Sequence, residues 1–298
     1  MGLGADTLEM LVSLHAEGHL RASRSVMEIG AQQLSNNFLE AKDRIELVGK
    51  VFKIPTTCPL PEPTPSYIVH GDLEHLPEDA PRARDFWTWL GFDYAAVDFD
   101  GSPGSIPLDL NFDPAPKPHV GKHQLVTNFG TTEHVANQLN AFKLIHDFTA
   151  LDGLMLHALP MQGMLNHGLV NYTPKFFWML ARSNGYRWIY MSLGGGEAQY
   201  DLPDNIVEAI RPFDATIETR RRVINQLDVM LVVLLQKTFD IAFVPPIDVP
   251  TGTWTDNAAM KERYWTVFTP HAFARVPQPL SRRFAHGLAR LKSTFRRT

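Results

Sequence analysis

Short apolar segments that alternate with amphipathic helical segments constrain the fold of this chain more than any other feature of its sequence. The alternation predicts an α/β domain built around a mostly parallel, buried sheet. Seven segments have the apolar, β-branched character of strands, and they begin near Ser25, Asp93, Ser105, His123, Gly153, Tyr186 and Asp228. Propensity alone leaves the relative direction of the last two open.

Helices are predicted at residues 7–19, 83–92 and 132–150, where apolar residues recur at helical spacing. A further helix begins at Pro174, with Thr173 as its N-cap. Residues 1–240 are interpreted as one α/β domain, and residues 241–298 as a C-terminal extension. Within the domain, residues 36–82 are predicted to form a loop-rich insertion, because the stretch IPTTCPLPEPTPSY carries five prolines.

The composition excludes several classes of protein. A formal net charge of −4 over 298 residues gives no overall electrostatic attraction for nucleic acid. With Cys58 as the one cysteine, no intrachain disulfide can form, which favours a reducing, cytoplasmic setting. The longest apolar run, VMLVVLL from Val229, is far shorter than the roughly 20 residues that cross a bilayer. We also find no signal-peptide pattern and expect a soluble protein.

The C-terminal stretch SRRFAHGLARLKSTFRRT holds six Lys or Arg residues and no acidic residue. Phe284, Leu288, Leu291 and Phe295 recur in it at helical spacing, which predicts a basic amphipathic helix. Such a helix can lie weakly on an anionic membrane surface or contact a partner protein. The alternative is a helix that packs on the domain with its basic face in solvent.

Polar residues follow the predicted strands at the points where the strands end. These residues are Glu28 with Gly30, Asp98 with Asp100, Asp109, and Asn128 with Gly130. Ligands of doubly wound sheets bind at the carboxyl ends of the strands, near the topological switch point. An acid at the end of the second strand is the usual partner for ribose hydroxyls, so the pattern predicts a nucleoside site.

Four segments, SVMEIGAQ, DYAAVDFDG, IPLDLNF and HQLVTNFGTTEHVANQ, resemble in this order the successive motifs of class I S-adenosylmethionine-dependent methyltransferases. The stretch from Phe129 to Tyr186 looks more narrowly like an uncharacterised bacterial group of methyltransferase-domain proteins. The resemblance covers roughly residues 25–237. It implies a Rossmann-like, seven-stranded sheet with helices on both faces, and S-adenosylmethionine as the cofactor.

The resemblance also implies roles for individual cofactor-binding residues. Glu28, Gly30 and Gln32 would line the methionine side of the cofactor. Asp98 would take the ribose hydroxyls. Asp109 and Leu110 would border the adenine. Asn128 to Thr131, with Gly130 among them, would wall the face of methyl transfer.

Methyl transfer needs the acceptor aligned with the methyl group, and a hydroxyl or amine acceptor must also lose a proton. Glu133 and His134 directly follow the fourth strand, and His167 lies in the loop sequence LNHGL. We predict these three residues to be catalytic, with His157 as a further candidate. The alternative is that Glu133 only complements a helix dipole and that the histidines are structural.

No metal site is predicted from the spacing of these residues. Glu133 and His134 would lie about 100° apart on a helix and would not share a face. The sequence has neither the H-E-x-x-H nor the H-x-H spacing of zinc sites.

The sequence therefore predicts methyl transfer from S-adenosylmethionine to a hydroxyl or amine of a small or carbohydrate-like acceptor. A non-catalytic binding or scaffold protein that retains the fold is the alternative. The loop EIGAQQL favours that alternative, because it has one glycine where such methyltransferases often have two or three. A nicotinamide-dependent oxidoreductase would need a G-x-G-x-x-G motif, which GAQQLS does not supply.

Overall fold

The computed structural model describes residues 2–20, 24–60, 81–99, 102, 104–195, 198–201, 228–248 and 257–265. Within these residues the strands form one sheet in the order β3-β2-β1-β4-β5-β8-β6-β7. The strands are β1 (Ser25–Ile29), β2 (Asp93–Asp98), β3 (Ile106–Pro107), β4 (His123–Phe129), β5 (Thr149–Gln162), β6 (Arg187–Gly195), β7 (Ala198–Asp201) and β8 (Val229–Gln236).

Strands β1 to β5 pair with one another in parallel. Strand β8 lies antiparallel between β5 and β6, which makes β6 parallel to β5. The direction left open by the sequence is therefore antiparallel. The mostly parallel, Rossmann-like sheet is confirmed. It has one strand more than the predicted seven, because the four residues of β7 fold back on the end of β6. So short an edge strand carries too little periodicity to be recognised.

Helices cover both faces of the sheet. Helices α1 (Ala5–Ala16), α2 (Asn36–Glu40), α3 (Lys42–Phe52) and α4 (Ala83–Trp89) accompany one face, and α5 (Gln138–Phe148) and α6 (Pro174–Asn184) the other. Along β1, Val26 packs on the first face, whereas Met27 and Ile29 pack on the second. This period of two is what a sheet buried on both sides requires. The last described helix is α7 (Ala258–Trp265).

The predicted loop-rich insertion over residues 36–82 is wrong in its first part, which forms α2 and α3. Ile45, Val48 and Phe52 recur at helical spacing on α3 and are buried against α1 and α4. The sequence prediction missed these helices because it extended the proline-rich composition of the downstream stretch to the whole of residues 36–82. Residues 61–80 of the insertion lie outside the described residues.

The chain after β4 also differs from the expected continuous helix over residues 132–150. Thr132–His134 forms a 3₁₀ turn, and α5 begins only at Gln138. Asn137 caps α5, since its side chain accepts a hydrogen bond from the amide of Asn140 at 3.2 Å. Strand β5 already begins at Thr149. Because the 3₁₀ turn replaces the first part of the expected helix, Glu133 and His134 do not have the side-chain directions of α-helical residues.

The sequence signals for α6 are confirmed. The Thr173 side chain accepts a hydrogen bond from the amide of Phe176, Pro174 is the first helical residue, and Gly185 ends the helix with φ of 65°. The start of the C-terminal extension packs on this helix and its neighbour α5. Arg182 donates a hydrogen bond to the carbonyl oxygen of Ile247 at 2.9 Å, and the amide of Val244 donates to Asn184 at 2.8 Å.

Among the described residues, the helices lack the combination of length and hydropathy that crossing a bilayer requires. The predicted basic helix at residues 281–298 lies outside the described residues, and so does Asp100.

Candidate functional site

The loops that follow β1 and β4 touch at the carboxyl edge of the sheet. Gly30 has φ of 80°, and a Cβ atom there would lie 2.4 Å from Oγ1 of Thr131. Only glycine fits this close approach of the two loops. Gln32 closes the contact, because its Nε2 donates to the carbonyl oxygen of Gly30 and to Oγ1 of Thr131, both at 3.2 Å. These loops flank the point where the strand order reverses.

Glu28 is fully buried and holds the β1 loop from below. Its carboxylate accepts hydrogen bonds from the amide of Gln32 at 3.0 Å, from Trp87 Nε1 at 2.8 Å and from the Tyr94 hydroxyl at 2.8 Å. Burial raises the pKa of Glu28 to about 7, although these donors oppose the rise. With its oxygens bound by protein donors, Glu28 acts on a ligand only through the loop that it fixes.

Asp98 links the end of β2 to the same loop. Its Oδ2 atom accepts a hydrogen bond from the amide of Ala31 at 2.7 Å, and its Oδ1 atom accepts one from the amide of Phe99 at 2.7 Å. The side chain is only partly buried. Each carboxylate oxygen can accept a second hydrogen bond. Asp98 therefore keeps the capacity to accept two further hydrogen bonds at this edge of the sheet.

Asp109 forms a compact turn after β3. Its Oδ1 atom accepts from the amide of Asn111, and its own amide donates to Asp113, both at 2.8 Å. Asn140 on α5 donates to the carbonyl oxygen of the buried Leu110 at 3.0 Å, which ties the turn to the domain. The partly buried Asp109 thus lies beside an apolar residue at the border of the site.

Asn128 belongs to a buried polar network and does not line the accessible surface that the resemblance had implied. Its Nδ2 atom donates to Oγ1 of Thr132 at 2.9 Å and lies 3.3 Å from Nδ1 of His157. The Tyr172 hydroxyl donates to the same Oγ1 atom at 2.9 Å. Burial lowers the pKa of His157 to about 3, and its ring packs against Phe177. His157 is therefore a neutral core residue. Gly130, with φ of 68°, turns the chain out of β4.

Glu133, His134 and His167 come together just past β4. The Nε2 atom of His167 lies 3.5 Å from Oε1 of Glu133, and the Nε2 atom of His134 lies 3.9 Å from it. The two imidazole rings pack edge to face, with centroids 5.1 Å apart. Glu133 is fully buried, whereas the side chain of His134 is half exposed and that of His167 is a third exposed. We call these three residues the Glu-His-His cluster.

The carboxylate of this cluster lies in an unusual environment. Neither oxygen of Glu133 has a hydrogen-bond partner among the described residues. Burial raises the pKa of Glu133 to about 7, because the charged form is poorly solvated there. Burial likewise lowers the pKa of His134 and of His167. The cluster therefore combines a carboxyl group that keeps its proton more readily than usual with two imidazoles that bind a proton less readily than usual.

The loop that carries His167 is fastened to the 3₁₀ turn. The carbonyl oxygen of Glu133 accepts hydrogen bonds from the amides of Leu169 at 2.8 Å and Val170 at 3.1 Å. A Cβ atom on Gly168 would lie 2.9 Å from Cγ of Glu133. A glycine beside His167 is thus required for the contact. Sequence reasoning noted this glycine without giving it a role.

The structure brings together the three residues predicted to be catalytic, and it separates His157 from them. Of the residues predicted to bind the cofactor, Asp98 presents a partly exposed carboxylate at this edge. Glu28, Gln32 and Asn128 are instead buried and engaged in protein contacts. Sequence reasoning missed Trp87 and Tyr94, and it did not foresee the contact between Thr131 and Gly30. Their positions beside Gly30 and Glu28 depend on contacts between segments distant in the sequence.

Exposed apolar side chains surround the edge of the sheet that carries these residues. They follow β2, β3 and β5 or begin α5, and they are Phe99, Phe112, Leu139, Leu165 and Leu169. Exposed apolar groups near a polar cleft are typical of ligand-binding surfaces.

Comparisons with known proteins find no match to a protein-family model or to a curated protein. Solved structures of methyltransferases are similar in fold. A methyltransferase from Archaeoglobus fulgidus, described as S-adenosylmethionine-dependent, has 11% identity and a TM-score of 0.39, over 78% of this chain and 95% of its own. An O-methyltransferase of a polyketide synthase multienzyme from Brevibacillus brevis, solved with S-adenosyl-L-homocysteine, has 10% identity and a TM-score of 0.42. The match covers 95% of this chain and 83% of its own.

A putative sarcosine dimethylglycine methyltransferase from Galdieria sulphuraria has 11% identity and a TM-score of 0.41, over 79% of this chain and 87% of its own.

Proposed function

We propose that this protein transfers a methyl group from S-adenosylmethionine to a hydroxyl or amine of a small or carbohydrate-like acceptor. One observation carries the proposal. A buried carboxylate that accepts no hydrogen bond from the described residues lies 3.5 Å from a histidine, at the sheet edge where Asp98 would bind a ribose. Perturbed ionisable groups of this kind concentrate at functional sites.

The cofactor side of the site is the edge around Asp98 and the β1 loop. Asp98 would accept hydrogen bonds from ribose hydroxyls, and the contact between Gly30 and Thr131 would form the floor under the cofactor. Asp109 and Leu110 would border the base. When bound, S-adenosylmethionine supplies an already activated methyl group, so the protein mainly has to align the acceptor.

The Glu-His-His cluster supplies the group that removes the acceptor proton. The Nε2 atom of His167 is buried against Glu133, which leaves Nδ1 as the nitrogen that takes the proton. Glu133 then stabilises the imidazolium that forms, because a carboxylate close to a cation favours its charged state. The exposed apolar side chains of Phe99 and Phe112 would contact the body of the acceptor.

A second candidate function is that of a non-catalytic binding or scaffold protein that retains the fold and has lost the cofactor. It is favoured by the burial of Glu28, Gln32 and Asn128, whose polar groups are engaged within the protein. Cofactor affinity separates the two candidates. Calorimetric titration of the full chain with S-adenosylmethionine and S-adenosylhomocysteine should give saturable heat with one site per chain. If millimolar ligand produces no heat and no thermal shift, the methyltransferase function is excluded.

A further inference from the structure

We propose that Glu133, His134 and His167 also form a binding site for one first-row divalent transition-metal ion, of which Zn²⁺ is the reference case. The proposal depends on these three side chains and holds whether or not the protein transfers methyl groups. Two imidazoles and one carboxylate are a common ligand set for such ions.

The first support is that the buried polar atoms of the cluster make no geometrically good hydrogen bond to the described residues. Both oxygens of Glu133 and the Nε2 atom of His167 are buried without a hydrogen-bond partner among the described residues. An isolated buried carboxylate is unfavourable unless a cation or donors compensate it. A divalent cation would satisfy all three atoms at once.

The second support is distance. One ligand atom from each of the three residues lies within 4.8 Å of the others. Ligands at about 2.0–2.2 Å from one tetrahedral ion are roughly 3.3–3.6 Å apart. The 3.5 Å between His167 and Glu133 is already close to that value. His134 is half exposed at 3.9 Å, so a small rotation of its side chain completes the set.

The third support is the rigid placement of the ligands. The 3₁₀ turn carries Glu133 and His134, and the hydrogen bonds from Leu169 and Val170 fasten the His167 loop to it. The amide of Met164, at the start of that loop, donates to Asp228 at 2.6 Å. Ligands held by separate, tied segments lose little conformational freedom when an ion binds.

The sequence argument against a metal site assumed that Glu133 and His134 lie on one α-helix. That argument does not apply, because the two residues lie on a 3₁₀ turn and the third ligand, His167, comes from another loop. Three protein ligands leave at least one coordination position open, which is the arrangement of catalytic rather than structural zinc sites. A hydroxyl group of the acceptor bound there through its oxygen would lose its proton more readily, and the proton would pass to water. The two histidines are then ligands, so the ion and not His167 activates the acceptor.

The test is direct metal binding by the full chain after treatment with a chelator, in the absence of cofactor. Calorimetry with Zn²⁺ and visible absorption with Co²⁺ should both show one ion per chain. Glu133→Gln, His134→Ala and His167→Ala should each weaken Zn²⁺ binding by more than about tenfold. His119→Ala is the matched control, since His119 stacks on His123 as the other close histidine pair and should leave binding unchanged.

Circular dichroism of each variant shows whether it is folded. If Glu133→Gln does not fold, the half-exposed position of His134 still allows a decision, because His134→Ala removes little packing. The proposal is overturned if the wild-type chain binds no Zn²⁺, or if folded His134→Ala and His167→Ala bind it as tightly as the wild type. Cofactor binding is measured separately, so failure here leaves the methyltransferase proposal standing.

Discussion

The Nε2 atom of His167 lies 3.5 Å from Oε1 of Glu133, although the whole of β5 separates the two residues in the sequence. The contact brings a partly exposed imidazole to a fully buried carboxylate beside the end of β4. It forms because Gly168 lets the loop approach the 3₁₀ turn. This pair is the centre of the proposed chemistry, and most of the predictions below test it or the edge around it.

Replacing His167 by alanine should lower kcat by about 10²–10⁴-fold, because the acceptor would lose its proton-accepting partner. The affinity for S-adenosylhomocysteine should stay unchanged, since Asp98 and the β1 loop are untouched. Steady-state kinetics with calorimetry measures both. His119→Ala, at the opposite edge of the sheet, is the control. Equal losses of turnover and cofactor affinity would make His167 a structural residue.

Asp98→Ala should weaken binding of S-adenosylhomocysteine by about 1.5–3 kcal/mol, the usual range for hydrogen bonds to a charged group. Asp93→Ala is the matched control, because Asp93 begins the same strand and its exposed side chain pairs with Lys122. Calorimetry on both variants gives the comparison. Unchanged affinity in Asp98→Ala would place the ribose elsewhere.

Gly30→Ala should destabilise the fold and weaken cofactor binding, because the added Cβ would meet Thr131 and the backbone has positive φ. Gly18→Ala separates the two effects. Gly18 has a similar φ of 75°, but a Cβ there meets open space. We expect Gly18→Ala to lower the free energy of unfolding by about 1 kcal/mol, and Gly30→Ala by clearly more. Equal values in chemical denaturation would contradict the close approach of the loops.

Acid should destabilise the protein through His157. Its pKa is about 3 in the folded state and 6.5 in the unfolded state, so between these values the unfolded chain binds more protons. Stability is therefore full above pH 6.5 and falls as the pH drops. Relative to His157→Gln, the wild type should lose about 2 kcal/mol between pH 6.5 and 4.5, since the slope approaches about 1.36 kcal/mol per pH unit once the unfolded-state histidine is mostly protonated.

Urea denaturation across that pH range measures the difference. The same comparison with His119→Gln, whose ring is partly exposed, should give a smaller change. A wild type and His157→Gln variant with parallel pH profiles would show that His157 is not held neutral in the core.

The sheet could be predicted because its strands are apolar segments that end in acids or glycines, as β1 and β2 do. The residues of the Glu-His-His cluster could also be proposed, since Glu133 and His134 directly follow β4 and His167 lies in the loop after β5. Their contact could not, because it depends on the path of the loop around Gly168. The burial of Glu28 was equally hidden, since its partners Trp87 and Tyr94 belong to other elements. The local sequence pattern shows where the strands end, whereas tertiary contacts determine which side chains stay accessible to a ligand.

The most direct measurement of the central claim is a crystal structure of the full chain with bound S-adenosylhomocysteine. We predict that the ribose hydroxyls lie within hydrogen-bonding distance of Asp98 and that the sulfur atom faces His167 and Glu133. A nucleoside bound away from Asp98, or a sulfur atom turned from the cluster, would contradict the account.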